Sequence, residues 1–514
     1  MLGRLVCIAA AVVVASPWVS SQVQVPQFRA GVELTRVEVR VLDKAGNPVK
    51  DLTASDFAVK EDGVTQEIAL FETVSAEGVS AAPRTFLFVL GRGHLETPTK
   101  ALQALIDFVR SKCLPTDRVG VVAYSRVIEL TTDHEMVARF LERFRASHDD
   151  IEGKIVRDLR APAQAIAPET EAAIEAVFRD VGVPVRDLPG GVNNLHLLSE
   201  WGQLRRGLDY LSSIAGEKQV VFVPQRPFIT ARFAEKPFLN YWIRRAAGAR
   251  ASLCFIHVGG LTGSVQYSRS MVPLRSPLGF EPGAIDALAW MATQTGGTAA
   301  FFQYADRPLA ALDRATRLHY VLGYYPSRPV EPDQYRQIEV TVSRRDVTSQ
   351  YRHGYQARPL ADDPDDYRRT VTEARLDDGL FRPEPTRANM QAPPTLSFEV
   401  LRDTGPATPG TLKVAVSVDP RWIYFREEGS GYATELDFRL LAEDAQRNVV
   451  GEHSQRLPLV LTADELGRLR RRVRPQGFTF DVAIDVRTQP AYLRGALYQF
   501  ETDRLISGQF RLPR

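Results

Sequence analysis

The chain has 514 residues, 44% of them hydrophobic and 25% charged, with a formal net charge of +2. Single cores rarely grow past about 250–300 residues, so two to four domains are expected. Basic residues are spread along the chain and only Arg470-Arg471-Arg472 forms a run, which excludes a polybasic footprint and speaks against nucleic acid or an anionic membrane as partner.

Arg4, the apolar run Leu5 to Ala15 and the breaker Ser16-Pro17-Trp18-Val19-Ser20-Ser21 read as an export signal over 1–21. The run is too short to span a bilayer, and no later stretch reaches about 18 uninterrupted apolar residues. An exported chain, periplasmic or secreted and without a transmembrane anchor once the signal is removed, is the expectation. The remaining cysteines, Cys113 and Cys254, read as two separate thiols that pack as small hydrophobes; a disulfide between them is the alternative in an oxidising compartment.

Val32 to Val41 alternates, and Glu61-Asp62-Gly63 marks a hairpin. This β unit, 30–75, is too small to bury a core alone and needs a partner. From Arg84 the period changes. The buried-strand signature Thr85 to Leu90 runs into Gly91-Arg92-Gly93-His94-Leu95 and a helix over 97–112. A second buried strand, 118–124, is followed by a helix over 134–145. The polar stretch 146–195 shows no clear period beyond an inserted helix at 169–180. Strands at 219–223, 251–258 and 298–302 then alternate with helices at 196–214, 236–246, 283–294 and 307–317. Buried strands alternating with amphipathic helices predict a mainly parallel sheet covered on both faces, over 84–318.

After 318 the pattern returns to β. Tyr320, Tyr324, Tyr325, Tyr335, Tyr351 and Tyr355 concentrate here. They read as cement joining 320–356 to the N-terminal β unit in one sandwich, with a carbohydrate or peptide platform as the alternative. Residues 357–392 are charged and Pro-rich, a linker or a frayed helix rather than core. Alternating runs from 393 to 514 predict a further β sandwich.

Several of these segments resemble the von Willebrand factor A (VWA) domain, and more narrowly the exported "VWFA-related" proteins common in Acidobacteria. They are Val39 to Val49 with Leu52 to Phe57, the strand at 85–90, Pro115 to Val122, Thr295-Gly296-Gly297, Tyr320 to Pro326 and Tyr351 to Tyr355. The resemblance covers roughly 32–356 and implies α/β plus β architecture: a doubly wound, Rossmann-like sheet with flanking β sandwiches. It also implies a metal-ion-dependent adhesion site of the pattern Asp-x-Ser-x-Ser, a Thr and a further Asp. Here the first position aligns with Leu90 or Gly91 and the serines with Gly93 or His94 and Leu95. Pro224-Gln225-Arg226-Pro227 holds no Asp, and 146–195 offers only Thr170. The site is degenerate at every aligned position, so no metal or other cofactor is expected.

Sharper readings stand beside this one. Gly91-x-Gly93 is half a dinucleotide fingerprint, with Glu96 where the third Gly belongs. His94, His134 and His257 near strand ends would suit zinc if they converged. Asp149-Asp150 and Asp362-Asp363-Pro364-Asp365-Asp366 are acidic clusters, and Ser125 and Ser252 lack a nucleophile elbow. The expectation is therefore a non-catalytic module binding a protein partner in the envelope or outside the cell. Its recognition surface is Gly91, Arg92, Gly93, His94, Tyr124, Arg126, Gln225 and Arg226, whose guanidinium groups would take a partner's carboxylate. An extracytoplasmic metal-dependent enzyme and a purely structural envelope component are the alternatives.

Overall fold

The computed structural model describes residues 34–78, 81–97, 99–160, 166–182, 184–187, 200–224, 236–258, 282–301, 303–328, 334–356, 364–381, 395–401, 410–429, 431–471, 477–502 and 504–512. The expected signal at 1–21 and the candidate residues Gln225 and Arg226 lie outside them. The fold is mixed α/β with several sheets.

Alternation sets the first strand. In β1 (Thr35–Leu42) Val37, Val39 and Val41 point into a core, and Glu38 and Arg40 occupy the opposite face. β2 (Phe57–Glu61) and β3 (Val64–Gln66) form a hairpin, with Asp62 and Gly63 at φ 46 and 78. β4 (Leu70–Ser75) completes the N-terminal strands.

The α/β unit then runs β5 (Thr85–Leu90), α1 (Ala101–Ser111), β6 (Arg118–Ala123), β7 (Arg126–Thr131), α2 (His134–Arg160), α3 (Pro168–Phe178) and β8 (Val185–Asp187). It continues through α4 (Glu200–Ser212), β9 (Lys218–Val223), α5 (Lys236–Gly248), β10 (Ala251–Ile256), α6 (Pro282–Gln294), β11 (Ala299–Ala300) and α7 (Asp306–Ala315). Its sheet has the order β11-β10-β9-β5-β6-β7-β8. Pairings from β11 through β6 are parallel; β6–β7 and β7–β8 are antiparallel. All six residues of β5 are buried because both faces are covered. Phe86, Phe88 and Leu90 pack with α1, α2 and α7, whereas Leu87 and Val89 pack with α4, α5 and α6. From β5 the chain winds outward to β8 and returns to β9 on the other side. The strand order therefore reverses between β5 and β9, where such sheets open a crevice at their carboxyl ends.

Two features here differ from the sequence expectation. A hairpin strand, β7, follows β6 before any helix, and α2 runs for 27 residues instead of stopping near 145. The turn between β6 and β7 is Tyr124-Ser125 at φ 48 and 65. That is the backbone of a primed hairpin turn, without the Gly or Asn that announces one.

β12 (Leu318–Tyr324), β13 (Tyr335–Val342), β14 (Thr348–Tyr351) and β15 (Gly354–Gln356) return to the N-terminal strands. They form two four-stranded sheets, β14-β1-β12-β4 and β15-β13-β2-β3, around one shared core. Tyr320 and Tyr324 are fully buried in it. The Tyr320 hydroxyl donates to the Val49 carbonyl at 2.7 Å, and that of Tyr324 to Glu61 at 2.7 Å. These tyrosines therefore join the strands rather than offer a platform.

The segment read as a linker or a frayed helix carries a docked helix, α8 (Pro364–Phe381). Val371, Leu376 and Leu380 are buried between the α/β unit and the last domain. Apolar residues at helical spacing, hidden among many charges, hold it there. The C-terminal domain comprises β16 (Ser397–Val400), β17 (Gly410–Val418), β18 (Arg426–Glu428), β19 (Gly431–Glu443), β20 (Val449–Leu461), α9 (Ala463–Arg471), β21 (Phe478–Val486), β22 (Tyr492–Gln499) and β23 (Arg504–Arg511). One sheet is β16-β17-β21; the other is β18-β19-β22-β23 with β20 on β19. Residues of both fill one core. No described helix is long and apolar enough to cross a membrane. Cys113 and Cys254 are unpaired thiols.

A buried arginine joins the first sandwich to the amino-terminal ends of the central strands. Arg40 donates to Gln219 of β9 at 2.9 Å, to Ser252 of β10 at 3.3 Å and to the Gly296 carbonyl. Gly296 has φ +75 and approaches Tyr351 so closely that a Cβ would stand 2.8 Å from its carbonyl carbon. Arg352 adds a bond to Glu217 at 2.5 Å. Arg40→Met removes three bonds from a charged donor and is expected to lower unfolding free energy by on the order of 3 kcal/mol, read by denaturant titration.

At the same junction, burial and then the neighbouring Glu217 carboxylate push Glu38 up to about 8, against Arg352, Arg40 and Arg250. Its neighbour His319, 3.5 Å away, is held down at about 4 by burial and Arg40. Native Glu38 keeps its proton where the unfolded chain has released it, so its contribution is full at low pH and is lost as pH rises through about 8. His319 acts in the opposite sense, but only below its ordinary pKa of about 6.5. Glu38→Gln is therefore expected to melt above the wild type, with a larger gain at pH 8 than at pH 5; a constant or reversed difference contradicts this.

Candidate functional site

The reversal of strand order brings the β5 loop against the end of β9. The Gly91 amide donates to the Val223 carbonyl at 3.0 Å. A Cβ at this position would lie 2.6 Å from that oxygen and 2.9 Å from Glu200 Oε1, so only glycine fits. The loop then turns through Arg92 and Gly93 (φ +81).

Two glutamates close on this loop from opposite sides. Glu200, first residue of α4, accepts from the Arg92 amide at 3.2 Å. Glu152, on α2, accepts from Arg92 Nε at 2.6 Å through Oε1 and from the Gly93 amide at 2.9 Å through Oε2. Burial alone would lower the proton affinity of the Arg92 guanidinium, but Glu152, with support from Tyr124 and Glu200, holds it above its ordinary value.

The extended half of α2 meets this loop through Arg145, His148, Asp149 and Glu152. Their spacing, i, i+3, i+4 and i+7, is one helical face. Arg145 pairs with Glu96 at 2.8 Å, and Asp149 meets His94 Nδ1 at 3.2 Å. His148 is 1% exposed; its Nε2 lies 2.6 Å from the Gly93 carbonyl and its Nδ1 lies 2.5 Å from the Tyr124 hydroxyl. A carbonyl only accepts, so Nε2 carries the hydrogen, and in the neutral ring Nδ1 accepts from tyrosine. Burial lowers the His148 pKa, opposed by Glu152, in keeping with a neutral ring. Burial and Glu152 raise Tyr124. Gln203 of α4 accepts from the Ser125 amide at 3.2 Å and steadies the other turn residue.

The expected surface is therefore only partly a surface. Gly91 and Tyr124 are buried, and the Arg92 side chain is 17% exposed and bound to Glu152. Arg92 is thus not presented for a partner's carboxylate. Arg126 starts β7 and lies over the Phe178 ring, 5.4 Å from its centroid. Gly93 is half-buried and His94 is exposed. Sequence reasoning singled out Asp149 only as part of an acidic cluster and missed Glu152, His148 and Glu200; the helical spacing of the α2 groups was the signal that could have found two of these three.

Other proposed constellations do not assemble. His134 Nε2 bonds to the Asp117 carbonyl just before β6 begins, at the end of the sheet away from His94. Asp150 pairs with Lys154 at 2.7 Å. Thr170 is buried in the first turn of α3. Among the described residues no group of three or more His, Cys, Asp or Glu could hold a metal ion. The divalent cation implied by the sequence resemblance also fails on the chemistry of the donors. Such an ion needs about six oxygen ligands, whereas the loop directs the Arg92 and Gly93 amides and a guanidinium at the carboxylates.

Compared with known proteins, the chain matches no family model, and no curated protein is significantly similar to it.

Tyr124→Phe leaves the buried His148 Nδ1 without its donor. It is expected to lower stability by about 1–2 kcal/mol in denaturant titration; an unchanged midpoint would contradict the assigned bond.

Proposed function

We propose that this chain is an exported, non-catalytic VWA-like module that binds a protein partner in the cell envelope or outside the cell through the carboxyl end of its central sheet. The observation that carries the reading is the reversal of strand order between β5 and β9, which places the β5 loop at a crevice of the kind that binds ligands in doubly wound sheets. The return of β12 to pair with β1 of the N-terminal strands supports the reading.

A catalytic reading finds less support. Among the described residues, the tyrosine–histidine pair at this end, Tyr124 and His148, is sealed at 2% and 1% exposure and faces its own loop. A general acid or base must reach the atom on which it acts.

What remains presented is a rim of mixed character. His94 and Asp149 side chains are each 68% exposed. Tyr304, 56% exposed, stands beside the residue whose amide bonds to the Thr99 carbonyl ahead of α1. An exposed aromatic ring and an exposed histidine–aspartate pair are fitting anchors for a protein partner. The test is affinity capture from native envelope with the full chain and with a His94→Ala/Tyr304→Ser variant. A specific protein retained by the wild type and lost at least tenfold with the variant is expected (about 1.4 kcal/mol or more). Equal capture by both, or stoichiometric metal with hydrolytic activity in the purified protein, contradicts the reading.

A further inference from the structure

Two almost buried carboxylates directed at one loop need positive charge beside them, because an unpaired carboxylate out of water is strongly disfavoured. Glu152 has 7% of its side chain exposed and Glu200 is 4% exposed. An exchangeable cation is one source of that charge. The other is a side chain of the protein itself, and Arg92 is placed for it: its Nε sits 2.6 Å from Glu152 Oε1.

We propose that the Arg92 guanidinium is a built-in cation, which takes the place of a divalent ion at the crevice between β5 and β9 and fixes the loop in one state. Three observations converge on it. Both oxygens of Glu152 are occupied, one by the guanidinium and one by the Gly93 amide. The neighbouring Arg92 amide points at Glu200, so the positive ends of two backbone dipoles already face the space a metal would need. Between Leu90 and Leu95 no side chain offers an oxygen. The loop is thus built to give hydrogen bonds where a metal site is built to accept a charge.

The consequence is a crevice end whose shape is set by the chain alone. Divalent ions and chelators should leave it unchanged, and α2 and α4 should stay joined to the β5 loop through Arg92. This inference concerns the state of the loop and not the capture of a partner, so either can fail while the other stands.

The experiment is thermal melting of the mature full chain in EDTA and in millimolar Mg2+, Ca2+ or Mn2+, for wild type, Arg92→Lys, Arg92→Ala and Arg92→Ala/Glu152→Gln. The wild type is expected to melt at one temperature in all four solutions. Arg92→Ala should melt several degrees lower. Arg92→Lys should lose less, because a charge remains, and adding Glu152→Gln to the alanine variant should recover at least half of the loss by removing the stranded carboxylate. A wild-type melting temperature that rises with a divalent ion overturns the proposal. So does an alanine variant that melts like the wild type or gains nothing from Glu152→Gln. Should Arg92→Ala fail to fold, the ion response of the wild type and of Arg92→Lys decides.

Discussion

The enclosed contact between Arg92 and Glu152 determines where three separate elements of the α/β unit can lie. The β5 loop cannot move without the guanidinium, α2 cannot lift without exposing Glu152, and α4 meets the same loop through Glu200. A buried ion pair contributes little net stability when weighed against the desolvation of both partners. Its geometric effect is larger, because breaking it strands a charge. The strained Tyr124-Ser125 turn depends on the same arrangement, since His148 ties it to Gly93. Backbone in that region costs about 1–3 kcal/mol per residue and persists where its surroundings over-determine it.

Arginine performs a comparable task at the other end of the sheet. Arg84, just before β5, bonds to Asp117 at 2.6 Å and to Asp313 of α7 at 2.9 Å. Arg40 reaches from the first sandwich to β9, β10 and the Gly296 carbonyl. In each case one planar group with five donors satisfies acceptors on several chain segments, which a lysine's single ammonium could not span. The carboxyl end of the sheet and its sandwich end are thus each fixed by a guanidinium, with the parallel strands as a rigid connection between them.

The sequence made the strands of this architecture readable and left its polar fastenings hidden. Runs such as Thr85 to Leu90 are apolar because both sheet faces are covered, and alternation in β1 follows from one buried face. β7 was missed because its turn has neither Gly nor Asn; tertiary bonds from His148 and Gln203, not turn chemistry, hold its two left-handed residues. The second half of α2 was missed because only Ile151 and Ile155 of its buried face are apolar and the rest of that face is polar. Arg145, His148, Asp149 and Glu152 face the loop with helical spacing, yet a reading that follows hydrophobic period alone cannot register them. The segment of α8 reads as a linker or a frayed helix, not as core, because its few buried apolar residues are outnumbered by charges. At the site itself, the glycine loop and its lack of oxygen ligands were legible. The partner of Arg92 was not, because Glu152 lies 60 residues away on an element whose extent was unknown.

The state of the crevice depends on what neutralises the carboxylates at the end of β5. A crystal structure grown in millimolar Mn2+, with anomalous scattering recorded, addresses this directly. No manganese peak is expected between Glu152 and Glu200, with Arg92 Nε within hydrogen-bonding distance of Glu152. Manganese bound between the two glutamates, with the Arg92 side chain turned out to solvent, would contradict this.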